Sequence, residues 1–269
     1  MRRSTWLSGP YILWMAIFTI IPLGVVVWFA FTDGAGHFTL DNVLRLGDYL
    51  PIFLRSVWMA LAAALICLVI GYPAAYYIAG RSPMAQRFLY MLIMLPMCMS
   101  FLLRTLAWVA LLEDTGIING FLEALGFTPL HLIRNDGAVI LGMVYNYLPY
   151  MILPLYTVLL KIDPRLIEAA QDLGCTGAQV FQKVTLPLSV PGIVSGFTMV
   201  FVPAISTFYI SQKLGSTSSI LIGDVIESQF KGAYNFNLGA AMSLGLMVIV
   251  FVCTAVMHRF TGDEEVVTL

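Results

Sequence analysis

Four acidic residues and a short aromatic segment are the side chains of this sequence best suited to bind a ligand. The segment is Ser206-Thr207-Phe208-Tyr209, and the acids are Glu113, Asp114, Asp224 and Glu227. Carboxylates and aromatic ring faces both bind ammonium groups, so these residue types predict noncovalent binding of an organic cation. The ordinary alternatives are solvated loop acids and aromatic residues that pack in the core or at a membrane surface.

Residues that could catalyse a reaction or bind a metal are scattered along the chain. No G-x-x-x-x-G-K-[ST] segment is present, so the sequence predicts no nucleotide-binding P-loop. Neither the histidines nor the cysteines have the spacing of a metal site. These isolated residues are His37, His131, His258, Cys67, Cys98, Cys175 and Cys253. We therefore expect no catalytic residue, no metal site and no cofactor bound by this chain.

The composition is that of a chain embedded in lipid. Hydrophobic residues make up 59% of the 269 residues and charged residues 11%, whereas soluble domains contain about 25% charged residues. The net charge of −1 gives no reason to expect a nucleic acid partner. Because lipid offers no hydrogen-bond partner to the backbone, the sequence predicts an all-α membrane protein.

Six segments are apolar enough and long enough to cross a bilayer as helices of about 20 residues. The predicted spans are residues 10–31, 52–79, 88–112, 138–160, 192–214 and 238–259. The first follows Arg2 and Arg3, but it is too long for a signal peptide and lacks an A-x-A site, so we expect it to be retained. The fifth is the weakest because Pro203 interrupts it. We expect one transmembrane domain over residues 1–269.

An even number of spans places both chain ends on one side of the membrane. Arg81 and Arg87 flank the shortest loop, where the positive-inside rule is most reliable, so we expect both termini to be cytoplasmic. Most acidic residues then fall on the outer side, where they would attract cations. The segments "EDTGIINGFLEALGF" and "ILIGDVIESQF" on that side have apolar residues at helical spacing, which predicts two amphipathic helices.

The cytoplasmic loop of residues 161–191, called the cassette below, contains the least apolar long run of the chain. Asp163-Pro164 predicts the start of a helix, and Gly174 predicts its left-handed end. Thr176 and Gln179 predict a capping box for a second short helix, which Pro187 would close before the fifth span. By itself, such a helix pair is also compatible with simple packing on the membrane surface.

The cassette resembles the EAA loop of ABC importer permeases. The matching residues are Glu168, Ala169, Ala170, Gly174, Val184, Leu186 and Pro187. In that family the loop docks into a cleft on a separate ATP-hydrolysing subunit, which implies that these residues, with Asp172, couple the chain to an ATPase. The resemblance also implies the six-helix architecture of type I importer permeases and a location in the bacterial inner membrane. ATP and Mg²⁺ would bind the partner ATPase.

Other stretches between residues 100 and 245 resemble the polyamine permeases of this family. They include "LRTLAWVALLEDTGIINGFLEALG", "VFVPAISTFYISQKLG" and "LIGDVIESQF". The resemblance implies a heterodimer with a second, related permease, two ATPase subunits and an extracytoplasmic polyamine-binding protein. A spermidine or putrescine cargo would meet the acids named above at the outer mouth and then Phe208 and Tyr209.

Two other functions stay open at this point. An ABC importer permease for another small solute would share the cassette and the six spans. An ion-gradient-driven secondary transporter would be expected to show inverted repeats and ionisable residues near the centre of its spans. The sequence shows no convincing repeat and no acid at such a position, so the second alternative is the weaker one.

Overall fold

The computed structural model describes residues 11 and 13–259, apart from the side chain of His258. Within these residues the regular elements are helices, and the β-type contact is an isolated bridge between Thr32 and Phe38. The predicted all-α class is confirmed. The main helices are α1 (Leu13–Ala30), α2 (Leu50–Ala79), α3 (Pro83–Met94), α4 (Phe101–Leu112), α5 (Ile117–Ala124), α6 (Asp136–Leu159), α7 (Pro164–Asp172), α8 (Gly177–Ile205), α9 (Tyr209–Leu214), α10 (Ile222–Lys231) and α11 (Phe236–Arg259).

Five helices within the described residues are long and apolar enough to cross a membrane. They are α1, α2, α6, α8 and α11, and they correspond to five of the six predicted spans. A sixth crossing needs the bent pair of residues 83–98 and 101–124, whose two parts meet at 88°. Pro10 and Ile12 of the predicted first span, and Arg2 and Arg3 before it, lie outside the described residues.

The third predicted span, residues 88–112, is not one helix. After α3 the chain forms a 3-10 turn at Leu95–Cys98, and the backbone is extended at Met99 before α4 begins. Pro96 lacks an amide hydrogen, and its ring disfavours a continuing α-helix, which explains the break. The prediction of one helix was wrong because the segment stays apolar through the break, and hydropathy does not register a change of direction.

The fifth predicted span, residues 192–214, differs from the structure at both ends. Its helix α8 begins at Gly177, inside the cassette, so the predicted stop at Pro187 is wrong. A π-helical turn at Phe181–Thr185 ends two positions before this proline. The wider turn accommodates the proline ring and its missing amide hydrogen without ending the helix.

The interruption predicted near Pro203 is present. The helix α8 stops at Ile205, and α9 starts at Tyr209. The Ser206 hydroxyl donates back to the Val202 carbonyl at 3.2 Å. Such a side-chain bond gives the backbone an alternative to the next helical turn, which favours a break directly after Ile205. Pro203 itself lies within the last turn of α8.

The core of the fold is the contact between α2, α6 and α8. Met151 of α6 is fully buried between two glycines, Gly71 of α2 and Gly196 of α8. A Cβ atom at Gly71 would lie 3.0 Å from Met151 Cγ, and one at Gly196 would lie 2.9 Å from its Sδ. Small residues at these crossings let the helices approach closely, as is common where helices pack inside lipid.

The bundle has two ends that carry different polar residues. The cassette end holds α7, the start of α8 and the last turns of α2. The opposite end holds α5, α9, α10 and the loop that joins α9 to α10. There, Arg55 of α2 pairs with Asp136 of α6 at 2.7 Å, and Ser219 of that loop donates to the same carboxylate at 2.5 Å. These contacts fasten the loop to two of the three core helices.

We expect Gly196→Ala to destabilise the folded protein by about 1–3 kcal/mol, the usual cost of overpacking a well-packed core. The added methyl group would overlap Met151. Gly24→Ala in α1 is the matched control, since nothing lies within 4 Å of a Cβ atom there. Thermal unfolding of the detergent-solubilised protein measures both variants, and equal midpoints for the two would contradict the close packing at Met151.

Candidate functional site

Both helices of the cassette begin at the caps that the sequence predicts. The Asp163 carboxylate accepts a hydrogen bond from the Arg165 amide at 3.0 Å, with Pro164 in the first turn of α7. The Thr176 hydroxyl accepts from the Gln179 amide at 3.4 Å, and the Gln179 side chain accepts from the Thr176 amide at 2.8 Å. This reciprocal pair is the predicted capping box, which satisfies two amides at the start of α8.

The end of α7 is a Schellman motif centred on Gly174. This glycine has a φ of +83°, as predicted. Its amide donates to the Gln171 carbonyl at 2.8 Å, and the Cys175 amide donates to the Ala170 carbonyl at 3.1 Å. Nothing lies within 4 Å of a Cβ atom at Gly174, so glycine serves the backbone conformation here and not a close contact.

The cassette exposes a surface that combines charged and apolar side chains. Two leucines of α7 and the following turn, Leu166 and Leu173, are 48% and 86% exposed. The residues that resemble the EAA loop lie on the same segment; Glu168, Ala169, Asp172, Gly174 and Pro187 are exposed, and Ala170 and Leu186 are half-buried. Exposed apolar residues grouped with charges are typical of a surface that a partner protein covers.

The base of α8 is attached to the last turns of α2 through an aromatic cluster that sequence reasoning missed. The Phe181 ring meets Tyr72 and Tyr76 edge-on, with centroid distances of 5.7 and 5.8 Å. The Tyr72 hydroxyl also hydrogen-bonds the Ser189 hydroxyl at 2.8 Å. Tyr72 and Tyr76 are four residues apart, which places them on one helix face, but their partner on α8 follows only from the tertiary packing.

At the opposite end, a cavity of about 540 Å³ lies between α8, α10 and α11. Three residues of the predicted cation path line it, namely Ser206, Phe208 and Glu227. Phe230 contributes a second aromatic ring, and most of the remaining wall is aliphatic, from Val202 and residues of α11. This volume lies within the range of about 300–1,000 Å³ found for small-molecule sites.

The carboxylate of Glu227 is ionised and held in place by two neighbours. Its side chain is only 19% exposed, and Oε1 accepts from Lys231 Nζ at 2.7 Å. The side-chain amide of Gln212 donates to Oε2. The hydrogen bond from Lys231 lowers the pKa of Glu227, so this group carries a negative charge at neutral pH.

Asp224 lines a separate polar pocket of about 440 Å³. The wall of this pocket carries several hydroxyl groups, from Ser211, Ser216, Thr217, Ser219 and Ser228. Asp224 Oδ2 accepts from the Leu221 amide at 2.8 Å and so caps α10, while Oδ1 is buried without a hydrogen-bond partner among the described residues. Burial raises the pKa of Asp224, and the hydrogen bond from Leu221 opposes that rise.

The two aromatic residues between α8 and α9, Phe208 and Tyr209, face different neighbours. Phe208 is 39% exposed and faces the cavity. Tyr209 instead packs beside Phe101 of α4, with 6.2 Å between the ring centroids, and Lys213 Nζ lies 5.9 Å from its ring centre. Thr207, between them, is buried. The expected pair of aromatic faces is therefore divided between two sides of the break.

The remaining acids of the predicted path lie near the start of α5. Glu113 and Asp114 are exposed there, and Asp114 Oδ1 contacts His131 Nδ1 at 2.9 Å. Neither acid lines the cavity beside Phe208. Arg104 of α4 is 8% exposed, and its Nε and Nη1 have no hydrogen-bond partner among the described residues.

Comparison with known proteins identifies the family. Residues 68–261 match the family described as "Binding-protein-dependent transport system inner membrane component". The chain belongs to this family. Among curated members, this permease is 37% identical over 256 residues to the spermidine/putrescine transport system permease protein PotB of Escherichia coli (strain K12), covering 91% of this chain and 93% of the relative. The PotB of Haemophilus influenzae is also 37% identical, over 258 residues, covering 91% and 90%.

Solved structures of ABC importers share the fold of this permease. A bacterial ABC transporter involved in the import of the acidic polysaccharide alginate matches with a TM-score of 0.76 and 18% identity, covering 97% of both chains. A bacterial alginate ABC transporter in complex with an alginate pentasaccharide-bound periplasmic protein matches with a TM-score of 0.75 and 18% identity, over 96% of this chain and 94% of that chain. At this identity the likeness shows the fold alone, which confirms the type I importer permease architecture.

We expect Gly174→Ala to loosen the end of α7, because a side chain in the left-handed region costs about 1 kcal/mol. Gly177→Ala is the matched control in the same cassette, since a Cβ atom there also meets nothing within 4 Å and the backbone is not left-handed. Hydrogen–deuterium exchange should be faster at residues 170–176 in the first variant only. Unchanged exchange in Gly174→Ala would show that the Schellman motif does not depend on glycine.

Proposed function

We propose that the chain is a permease subunit of an ATP-driven ABC importer for polyamines such as spermidine and putrescine. The observation that carries this proposal is the 37% identity to PotB, which extends over 91% of the chain. The cavity chemistry supports it. A polyamine alternates ammonium groups with methylene chains, and the cavity offers the Glu227 carboxylate, the rings of Phe208 and Phe230, and an aliphatic wall.

The importer that we propose contains several chains. This permease would form half of the translocation pathway, and a second, PotC-like permease would form the other half. Two ATPase subunits would bind ATP and Mg²⁺, and an extracytoplasmic polyamine-binding protein would deliver the cargo. The exposed cassette supports the ATPase contact. In the orientation we propose, the cassette end and both termini face the cytoplasm, and the opposite end receives the cargo.

The coupling that we propose runs along α8. This helix is continuous over 29 residues, from the capping box in the cassette to the break at Ser206–Phe208. At about 1.5 Å per residue it spans about 43 Å, enough to connect both faces of a bilayer. A displacement of the cassette by the ATPase would therefore move the wall of the cavity directly. Phe181 would carry the same displacement to α2.

The competing cargo is another small solute carried by the same kind of importer. A cargo with no positive charge would gain little from the Glu227 carboxylate or the aromatic rings, since both favour cations. The proposed cargo is thus tested by discrimination between polyamines and neutral solutes of similar length.

We expect Glu168→Ala to reduce ATP-driven spermidine uptake severalfold by weakening ATPase docking, without preventing insertion of the chain. Glu123→Ala is the matched control, because it removes an exposed helical glutamate at the opposite end. Uptake of labelled spermidine into vesicles that hold the whole complex is the measurement, and copurification reports docking. Full uptake by Glu168→Ala, or ATP hydrolysis by this chain alone, would contradict the coupling role.

We expect Glu227→Gln and Asp224→Asn each to slow spermidine uptake, most strongly at low spermidine concentration. Asp48→Asn is the control, because Asp48 is an exposed acid at the same end of the bundle as Glu227 and Asp224 and lines neither pocket. Because burial raises the pKa of Asp224, its negative charge is lost at a higher pH than that of an ordinary aspartate as the solution is acidified. Uptake by the wild type should therefore fall on acidification earlier than uptake by Asp224→Asn. Uptake that both substitutions leave unaltered would place the path elsewhere.

A further inference from the structure

The cavity beside Phe208 contains an ammonium group of its own. Its lining includes two charged residues, Glu227 and Lys231, which lie one helical turn apart on α10. Lys231 Nζ lies 2.7 Å from Glu227 Oε1, so the amine occupies the one carboxylate that the described wall of the cavity offers. With Lys231 in place the pair is neutral, and without it the cavity would carry a negative charge.

The two members of this pair differ in how firmly they are held. The Glu227 side chain is 19% exposed and is held on its other oxygen by Gln212. The Lys231 side chain is 75% exposed, and its ammonium group lies at the end of a flexible four-carbon chain. Exposed ion pairs of this kind contribute little to stability, so the amine can leave the carboxylate without disturbing α10.

A second lysine of this end, Lys213, lies near the ring of Tyr209 at the break between α8 and α9. Lys213 Nζ lies 5.9 Å from the ring centre of Tyr209, within the distance at which a cation is attracted to a ring face. Both lysines of the opposite end thus lie on groups whose chemistry favours ammonium ions. The arrangement at Glu227 is the closer of the two contacts, and it lies in the cavity itself.

We propose that Lys231 is a tethered substitute for a cargo ammonium group, which neutralises Glu227 in the empty cavity and is displaced when a polyamine ammonium binds there. This inference rests on the proposed function. The exchange replaces one ammonium–carboxylate contact with another, so its free-energy change is small and binding stays weak. A weakly bound cargo can be released inward, and Lys231 then returns to Glu227. The same competition excludes cations that bind the carboxylate less well than the tethered amine.

The direction in which one substitution changes the affinity for spermidine separates this role from a purely structural one. If Lys231 competes with the cargo, Lys231→Gln should tighten spermidine binding by about twofold to fivefold, the equilibrium constant of a typical exposed ion pair. If Lys231 only supports α10, its removal should weaken binding or leave it unchanged. Lys231→Arg keeps the charge and the reach to Glu227, so it should bind spermidine like the wild type.

The experiment measures equilibrium binding of labelled spermidine to the whole permease–ATPase complex in nanodiscs, without the binding protein. Arg45→Gln is the charge control, because it removes one exposed positive charge from the same end outside the cavity. Tighter binding by Lys231→Gln, with no change in Arg45→Gln, supports the inference. Unchanged or weaker binding by Lys231→Gln overturns it, while spermidine uptake by the wild type leaves the proposed function intact. A complex that neither binds nor imports spermidine overturns both.

Discussion

The packing of Met151 between two glycines is the contact on which the other parts of the structure depend. It brings α2, α6 and α8 together at one point, because any side chain at Gly71 or Gly196 would meet the methionine. With that crossing fixed, the last turns of α2 and the base of α8 lie close enough for Tyr72 to bond Ser189. The first turns of α2 and α6 likewise meet, where Arg55 pairs with Asp136. Helix packing in lipid depends on such close approach, because no hydrophobic driving force brings two apolar helix surfaces together there.

The interruptions of the helices follow from a second constraint, that backbone groups within lipid need partners inside the protein. The break between α8 and α9 lies against α6, where the Tyr147 hydroxyl reaches the Pro203 carbonyl at 3.4 Å. Gly142 of α6 has no side chain in the way of Leu214, so α9 packs directly on α6. Irregular backbone at this position is therefore covered by protein on one side and lines the cavity with Phe208 on the other. A break of this kind is where a transport pathway can meet polar backbone groups.

Local signals in the sequence predicted the cassette well, and tertiary arrangement explains what they missed. The caps at Asp163 and Thr176 and the turn at Gly174 depend on residues within five positions, so the sequence alone is sufficient to find them. The bend between α3 and α4 was missed, since apolar composition continues across it. Phe208 and Tyr209 face different neighbours because of the backbone conformation between α8 and α9, and the sequence pattern does not give that conformation. Lys231 lies four residues after Glu227, a spacing that indicates their pairing without showing that they line a cavity.

Ion pairs at the end of the bundle opposite the cassette reduce its long-range attraction for cations. The sequence places most acids there, and an excess of acids predicts long-range attraction of a cationic cargo. In the structure two of these acids pair with a basic side chain of the same end, Asp136 with Arg55 and Glu227 with Lys231. Such contacts reduce the field at a distance, and salt screens what remains beyond about 8–10 Å. We therefore propose that recognition of a cationic cargo at this end depends on short-range contacts inside the two pockets. Asp224 belongs to one of these pockets, and the hydrogen bond from the Leu221 amide to its Oδ2 fixes the carboxylate in the pocket wall.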